Sequence, residues 1–144
     1  MPKGAATCNA LLALIFNGTA WADIAENDSS SPLTNLYMAL HTASLNDSST
    51  QSTSETAYTN YARQPVARTT LGWSAPSGKS TSNVAAIEFP QCGVTGATLT
   101  AASIGKLSSG AGDVLYYADL NASIAVADQI QPRFAAGAAT VSEA

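Results

Sequence analysis

The chain has 144 residues, of which 46% are hydrophobic and 11% charged, with a net charge of -4; that length suits one domain of about 100–150 residues. The charged share is less than half of the roughly 25% in an average soluble protein. Six Lys and Arg against ten Asp and Glu leave no basic footprint for nucleic acid or for an anionic membrane surface, and no apolar run approaches the roughly 20 residues of a membrane helix.

Lys3, an apolar stretch over residues 10–16 and Ala20-Trp21-Ala22 together match the pattern of a secretory signal. Periodicity argues for a structural helix instead, since Cys8, Leu11, Leu12, Ile15 and Thr19 follow the i, i+3, i+4, i+7 spacing of one face. The expected element is a helix over Ala5–Phe16 within an N-terminal segment 1–18. Leu14 and Phe16 fall off that stripe, so the helix is expected to be buried on more than one side, partly against another subunit. Asn17-Gly18 ends it, because both residues tolerate the left-handed conformation of a C-cap.

Residues 23–32 read as a polar loop. Its Asp23, Glu26 and Asp28 offer oxygen ligands for Ca²⁺ but lack the D-x-[DN]-x-[DN]-G spacing, so a solvated acidic loop is the reading. Residues 36–42 predict a strand, with Leu36, Met38 and Leu40 on one face. The Ser/Thr-rich stretch 43–56 reads as an exposed, mobile loop. Residues 58–71 are mostly extended, and Pro65 marks an edge or a bulge.

A turn at 75–78 leads to a strand over 82–89, stopped by Pro90. Further strands are expected at 95–104, 113–120, 123–126, 130–134 and 139–142. Short strands separated by turn signals after a single helix predict a mainly β chain, a β-sandwich or jelly-roll-like domain. Residues 1–144 form one domain on this reading, with the sandwich over 34–144.

Few residues invite chemistry. Cys8 and Cys92 make at most one bridge and have no metal-ligand spacing, so they read as small buried hydrophobes. Gly78-Lys79-Ser80 resembles the end of a phosphate-binding loop, but position 73 is Trp where that motif needs Gly, and a strand follows where it needs a helix. His41 is the sole histidine; it reads as a packed or hydrogen-bonded side chain in a strand. Asp113 and Asp119, six apart in one strand, lie about 20 Å from each other, too far for a general acid/base pair. Asn17, Asn27, Asn46 and Asn121 each open a glycosylation sequon of the kind that a Ser/Thr/Asn-rich chain produces by chance. No catalytic residue, metal site or cofactor is expected.

Interfaces are the stronger expectation. Arg63 and Arg68, with Tyr58, Tyr61 and Trp73 nearby, form either an aromatic-and-Arg interface patch or pairings inside the fold. Leu11, Leu12, Leu14, Ile15 and Phe16 of the helix complete the candidate contact set.

Gly18-Thr19-Ala20-Trp21 after a helix, then Leu36-Tyr37-Met38-Ala39-Leu40-His41-Thr42-Ala43, resembles the "GTAY … LYVALHTA" opening of a family of small tailed-bacteriophage structural proteins. The likeness continues through Tyr58-Thr59-Asn60-Tyr61-Ala62-Arg63, Gly72-Trp73 and Ser82-Asn83-Val84-Ala85-Ala86-Ile87-Glu88-Phe89-Pro90. It ends with Ser109-Gly110-Ala111-Gly112, Leu115-Tyr116 and Phe134-Ala135-Ala136-Gly137. The acidic stretch and the Ser/Thr loop depart from that pattern.

The resemblance implies a virion component without catalytic residues. Members are labelled tail-fibre or minor structural proteins, or resemble the cement proteins outside a phage head. The main expectation is a capsid cement or decoration protein on the outer head surface, a homo-oligomer (dimer or trimer) bound to the major capsid protein. Binding only the expanded shell stabilises that state by mass action. The alternative is a tail-fibre or tail-tip component involved in host attachment. A hydrolase would need a carboxylate pair or an activated nucleophile, and the sequence offers neither.

Overall fold

The computed structural model describes residues 3–21 and 32–144. The acidic cluster Asp23, Glu26 and Asp28 and the Asn27 sequon lie outside the described residues. The chain is mainly β with an N-terminal helix, α1 (Ala5–Phe16). Its strands are β1 (Asn35–His41), β2 (Gln64–Ala67), β3 (Ser80–Ser82), β4 (Ile87–Glu88), β5 (Ala97–Gly105), β6 (Val114–Val126), β7 (Arg133–Phe134) and β8 (Thr140–Ser142). They make one sheet of order β2-β1-β5-β6 and two ribbons, β3-β8 and β4-β7. A jelly roll divides eight strands between two sheets. Among the described residues, four of the eight strands are only two or three residues long and pair off as ribbons, so the mainly β chain with its N-terminal helix is as expected while no jelly-roll arrangement is formed by these sheets. α1 is also too short to cross a membrane.

The chain forms two compact units, each assembled from separate segments. The first comprises Met1–Asn35, Val66–Ile87 and Phe134–Ala144. Ala and Leu, the strongest helix formers, dominate α1. It buries Cys8, Leu12 and Phe16, an i, i+4, i+8 stripe. Phe16 is therefore central to the buried face, and its ring meets Trp73 edge-on at 4.7 Å. Thr19 lies beyond the helix and is exposed. Gly18, at φ 63, takes the left-handed turn after the helix. β3 and β8 pair antiparallel, with Thr81 opposite Val141.

The expected strand over 82–89 is broken in this unit. Asn83 is 2% exposed, and its amide donates to the carbonyls of Ala85 (2.8 Å) and Ala135 (2.9 Å), while its Oδ1 accepts from the Ala139 N–H (2.8 Å). Those bonds replace a ladder with a knot around Asn83, which ends β3 and leaves Val84, Ala85 and Ala86 exposed.

The second unit comprises Leu36–Pro65 and Glu88–Arg133. β1 lies antiparallel to β5, pairing Met38 with Ile104 and His41 with Ala101. β5 in turn pairs with β6. Leu36, Met38, Leu40, Phe89, Leu99 and Ile104 are buried in this unit, each large apolar side chain contributing roughly 1.5–3 kcal/mol. Pro65 sits in β2, at the end of the sheet order, the edge position to which a residue without an N–H is suited. The two strands expected over 113–126 are one, kinked by bulges. Asp119 faces Ala101 and Ile124 faces Leu99, so the four residues between them oppose Thr100 alone.

Candidate functional site

A buried polar network lies in the second unit, around Arg63. This residue is 6% exposed. Its Nε and Nη2 each donate to one oxygen of the Glu55 carboxylate, both at 2.7 Å, the two-pronged geometry that suits guanidinium and carboxylate. The remaining donors reach the carbonyls of Leu107 (3.0 Å) and Gly110 (2.7 Å). Glu55 also accepts from the Tyr61 hydroxyl at 2.9 Å, and that hydroxyl accepts from the Leu40 N–H at 3.1 Å. The bond to Glu55 holds the Arg63 pKa above its ordinary value. Burial pushes the Tyr61 phenol upward and raises Tyr58 to about 12.

Residues 43–56 are a mostly exposed loop, as expected, but bonds of this kind also anchor its second half. Gln51 and Thr56 are buried. Gln51 Oε1 accepts from the Leu107 N–H at 3.0 Å, and the Gln51 N–H donates to the Gly112 carbonyl at 2.8 Å. Thr50 bridges Asp113, and Glu55 bridges His41. Residues 50–56 are thus held at several points to β1 and to residues 105–113.

His41 is fully buried. Its Nδ1 lies 2.9 Å from the Thr53 carbonyl and its Nε2 2.8 Å from Ser103 Oγ. A carbonyl can only accept, so Nδ1 carries the proton and Nε2 accepts from the serine hydroxyl. A nucleophile and base at this spacing could in principle perform acyl transfer. Ser103 is 1% exposed, however, and no substrate carbonyl reaches its Oγ. The pair is a satisfied polar element of the core, as the sequence reading expected for His41. Among the described residues, no group of three or more His, Cys, Asp or Glu is placed to hold a metal ion.

Gly78 and Lys79 have φ of 59 and 64, and Ser77 and Ser80 exchange backbone bonds at 3.0 and 3.1 Å. That is a tight type I′ turn feeding β3, not a phosphate cradle. Cys8 and Cys92 are free and buried.

The candidate contact residues divide between the units. In the second, Tyr58 and Arg63 are buried and Tyr61 is half-buried; the two tyrosine rings meet at 5.3 Å, and the Tyr58 hydroxyl donates to the Pro90 carbonyl. Arg63 is thus paired inside the fold, by an ion pair. In the first, Leu12, Phe16 and Trp73 are buried, while Leu11, Leu14, Ile15 and Arg68 are half-buried. Arg68 donates to the carbonyls of Ile15 (2.6 Å) and Leu14 (2.5 Å) at the end of α1, where backbone acceptors lack helical partners. Glu55, Gln51 and Ser103 went unnoticed in the sequence. Glu55, the one acid among residues 48–56, was the available signal.

The exposed surface of the second unit is rich in Ser, Thr, Asn and Gln, with a few large apolar side chains among them. Val94 is 89% exposed, and Leu107, Tyr117 and Ile130 are each 45% exposed. No curated protein matches this chain. A family model described as Gp80, podophage GP4 fiber I protein gp80, matches residues 4–142, nearly the whole chain, and the protein therefore belongs to that family.

Proposed function

We propose that this protein is a tail-fibre component of a podophage virion and takes part in host attachment. Its place in a phage structural family rests on the match over residues 4–142, and the fibre description of that family carries the finer reading. It favours the tail over the head-shell cement that the strand sequences suggested, and so replaces the major capsid protein with tail neighbours and the host surface as contacts. The His41–Ser103 pair is sealed in the core and so is not offered to a substrate.

Cryo-electron microscopy of intact virions tests the proposal. Density for the chain on appendages of the tail supports it, and density repeating across the head lattice overturns it. Antibody fragments against the protein should also slow adsorption to host cells without disrupting particles.

A further inference from the structure

Residues 51–56 lie against the end of β1, with the Thr53 carbonyl on the His41 ring, and polar contacts hold them there. Gln51-Ser52-Thr53-Ser54-Glu55-Thr56 contains no apolar residue, so hydrophobic burial adds little to its closure. Segments of that kind open at lower free energy than the core they cover. Closure also leaves groups unsatisfied. Gln51 Nε2 and Thr56 Oγ1 are buried without a hydrogen-bond partner among the described residues. Ser54 is held at φ 49, a left-handed conformation that a side chain disfavours. Ser52, Thr53 and Ser54 are exposed, whereas the His41 ring that Thr53 touches is 0% exposed. A single thickness of chain therefore keeps water from the imidazole on that side.

We infer that residues 51–56 are an acid-released strap, which proton uptake by His41 opens while β1, β5 and β6 keep their pairing. In the closed form Nε2 accepts from the Ser103 hydroxyl. An imidazolium has an N–H on both nitrogens and no acceptor, so the added proton ends that bond and the buried serine has to turn its own hydrogen away. The new charge would also stand in a site shut off from water, where burial disfavours it; opening the strap returns it to solvent. The groups around the ring do not compensate. Glu55 on the strap attracts an imidazolium and Arg63 repels it, and the two are bonded to each other, so their fields largely cancel. From β5 the ring meets the Ser103 hydroxyl. On β6, Asp119 stands opposite Ala101, the residue paired with His41. It is exposed and two strand spacings away, about 10 Å, where salt screens it. Burial accordingly prevails and holds the His41 pKa below the ordinary 6.5. Above that value pH has no hold on the strap. Each unit of pH below it favours the open form by up to about tenfold, until the closed form itself takes up the proton.

Amide exchange of the full-length chain tests this inference, followed residue by residue from about pH 7.5 to about pH 4 and expressed relative to the intrinsic rate at each pH. The amides of Thr42, Gln51, Thr56 and Leu107 each bond to or from the strap. By about pH 5.5 they should have lost between about three- and tenfold of their protection, while the β1–β5 ladder keeps its own. Unchanged protection in the strap overturns the inference, and so does an equal loss in the ladder, which reports global unfolding. A loss that begins only below about pH 5, in the carboxylate range, assigns the release to Glu55 and overturns it too. His41→Gln, checked for folding by circular dichroism, should abolish the response between about pH 7.5 and 5.5; a response that survives in it overturns the inference. Should that variant not fold, the exchange series on the unaltered chain decides by itself. None of these readouts depends on whether the protein sits on the tail or the head.

Discussion

The guanidinium of Arg63 and the carboxylate of Glu55 form a parallel pair of 2.7 Å hydrogen bonds, with side-chain exposures of 2% and 19%. Breaking a buried pair leaves one charge without compensation and costs about 3–5 kcal/mol; water reaching Glu55 moves the expectation to the lower end. Arg63→Ala should therefore lower stability by about 3 kcal/mol in urea unfolding and open residues 43–56 to limited proteolysis. Arg63→Lys should recover little, because an ammonium cannot span both carboxylate oxygens. A loss below about 1 kcal/mol, the range of surface pairs, defeats the assignment.

His41 links stability to pH. Burial is the main influence holding its pKa below the ordinary 6.5; the bond to Thr53 and the Glu55 charge act upward, and Arg63 acts downward. The unfolded chain consequently takes up this proton at higher pH than the folded one. Stability from neutral His41 is complete above about 6.5 and is lost as pH falls through that value toward the lower folded one. The urea midpoint should decline as pH is lowered through this window, and His41→Gln should flatten the decline. Parallel curves for the two proteins would show that other groups set the slope.

What the sequence discloses depends on whether the cause is local. α1 was legible because Cys8, Leu11, Leu12 and Ile15 recur at helical spacing, and β1 because Leu36, Met38 and Leu40 alternate onto one face. Pro65 marked its edge position through the missing N–H. The anchoring of residues 50–56 was hidden. Their Ser/Thr composition describes a loop, whereas the bonds that hold it reach from Gln51 to Leu107 and from Glu55 to Arg63, and no local pattern encodes such partners. The Asn83 knot was equally silent, because an asparagine in an apolar run gives no indication that carbonyls some fifty residues away will claim it. The unity of β6 was hidden because the expected strands 113–120 and 123–126 part at Asn121-Ala122, although a bulge lets one strand continue through them.

Arg68 closes the C-terminal end of α1 from outside the helix. Its Nε and Nη2 satisfy the Ile15 and Leu14 carbonyls, and its charge meets the negative end of the helix dipole. Arg68→Met keeps the aliphatic stem but removes the donors, and should cost about 1–3 kcal/mol. Amide exchange in α1 should accelerate more than in the β1–β5 pair. Equal acceleration in both would mean that Arg68 acts through global stability rather than on the helix end.

Gln51 lies between two glycines. A Cβ on Gly105 would lie 2.1 Å from Gln51 Cδ, and one on Gly112 would lie 2.5 Å from Gln51 Oε1. The side chain is fully buried and its carbonyl oxygen is committed to the Leu107 N–H, so it cannot swing clear of an added methyl without losing that bond. Gly105→Ala should destabilise by about 1–3 kcal/mol, as overpacking does. Gln51→Ser removes the obstructing atoms but leaves the Leu107 donor without its acceptor, at a similar cost of about 1–3 kcal/mol. The double variant should cost clearly less than the two single changes together, because the clash exists only while both Gln51 and the new methyl are present. Additive losses in urea unfolding would show that Gly105 is required for its backbone and not for the room it leaves Gln51.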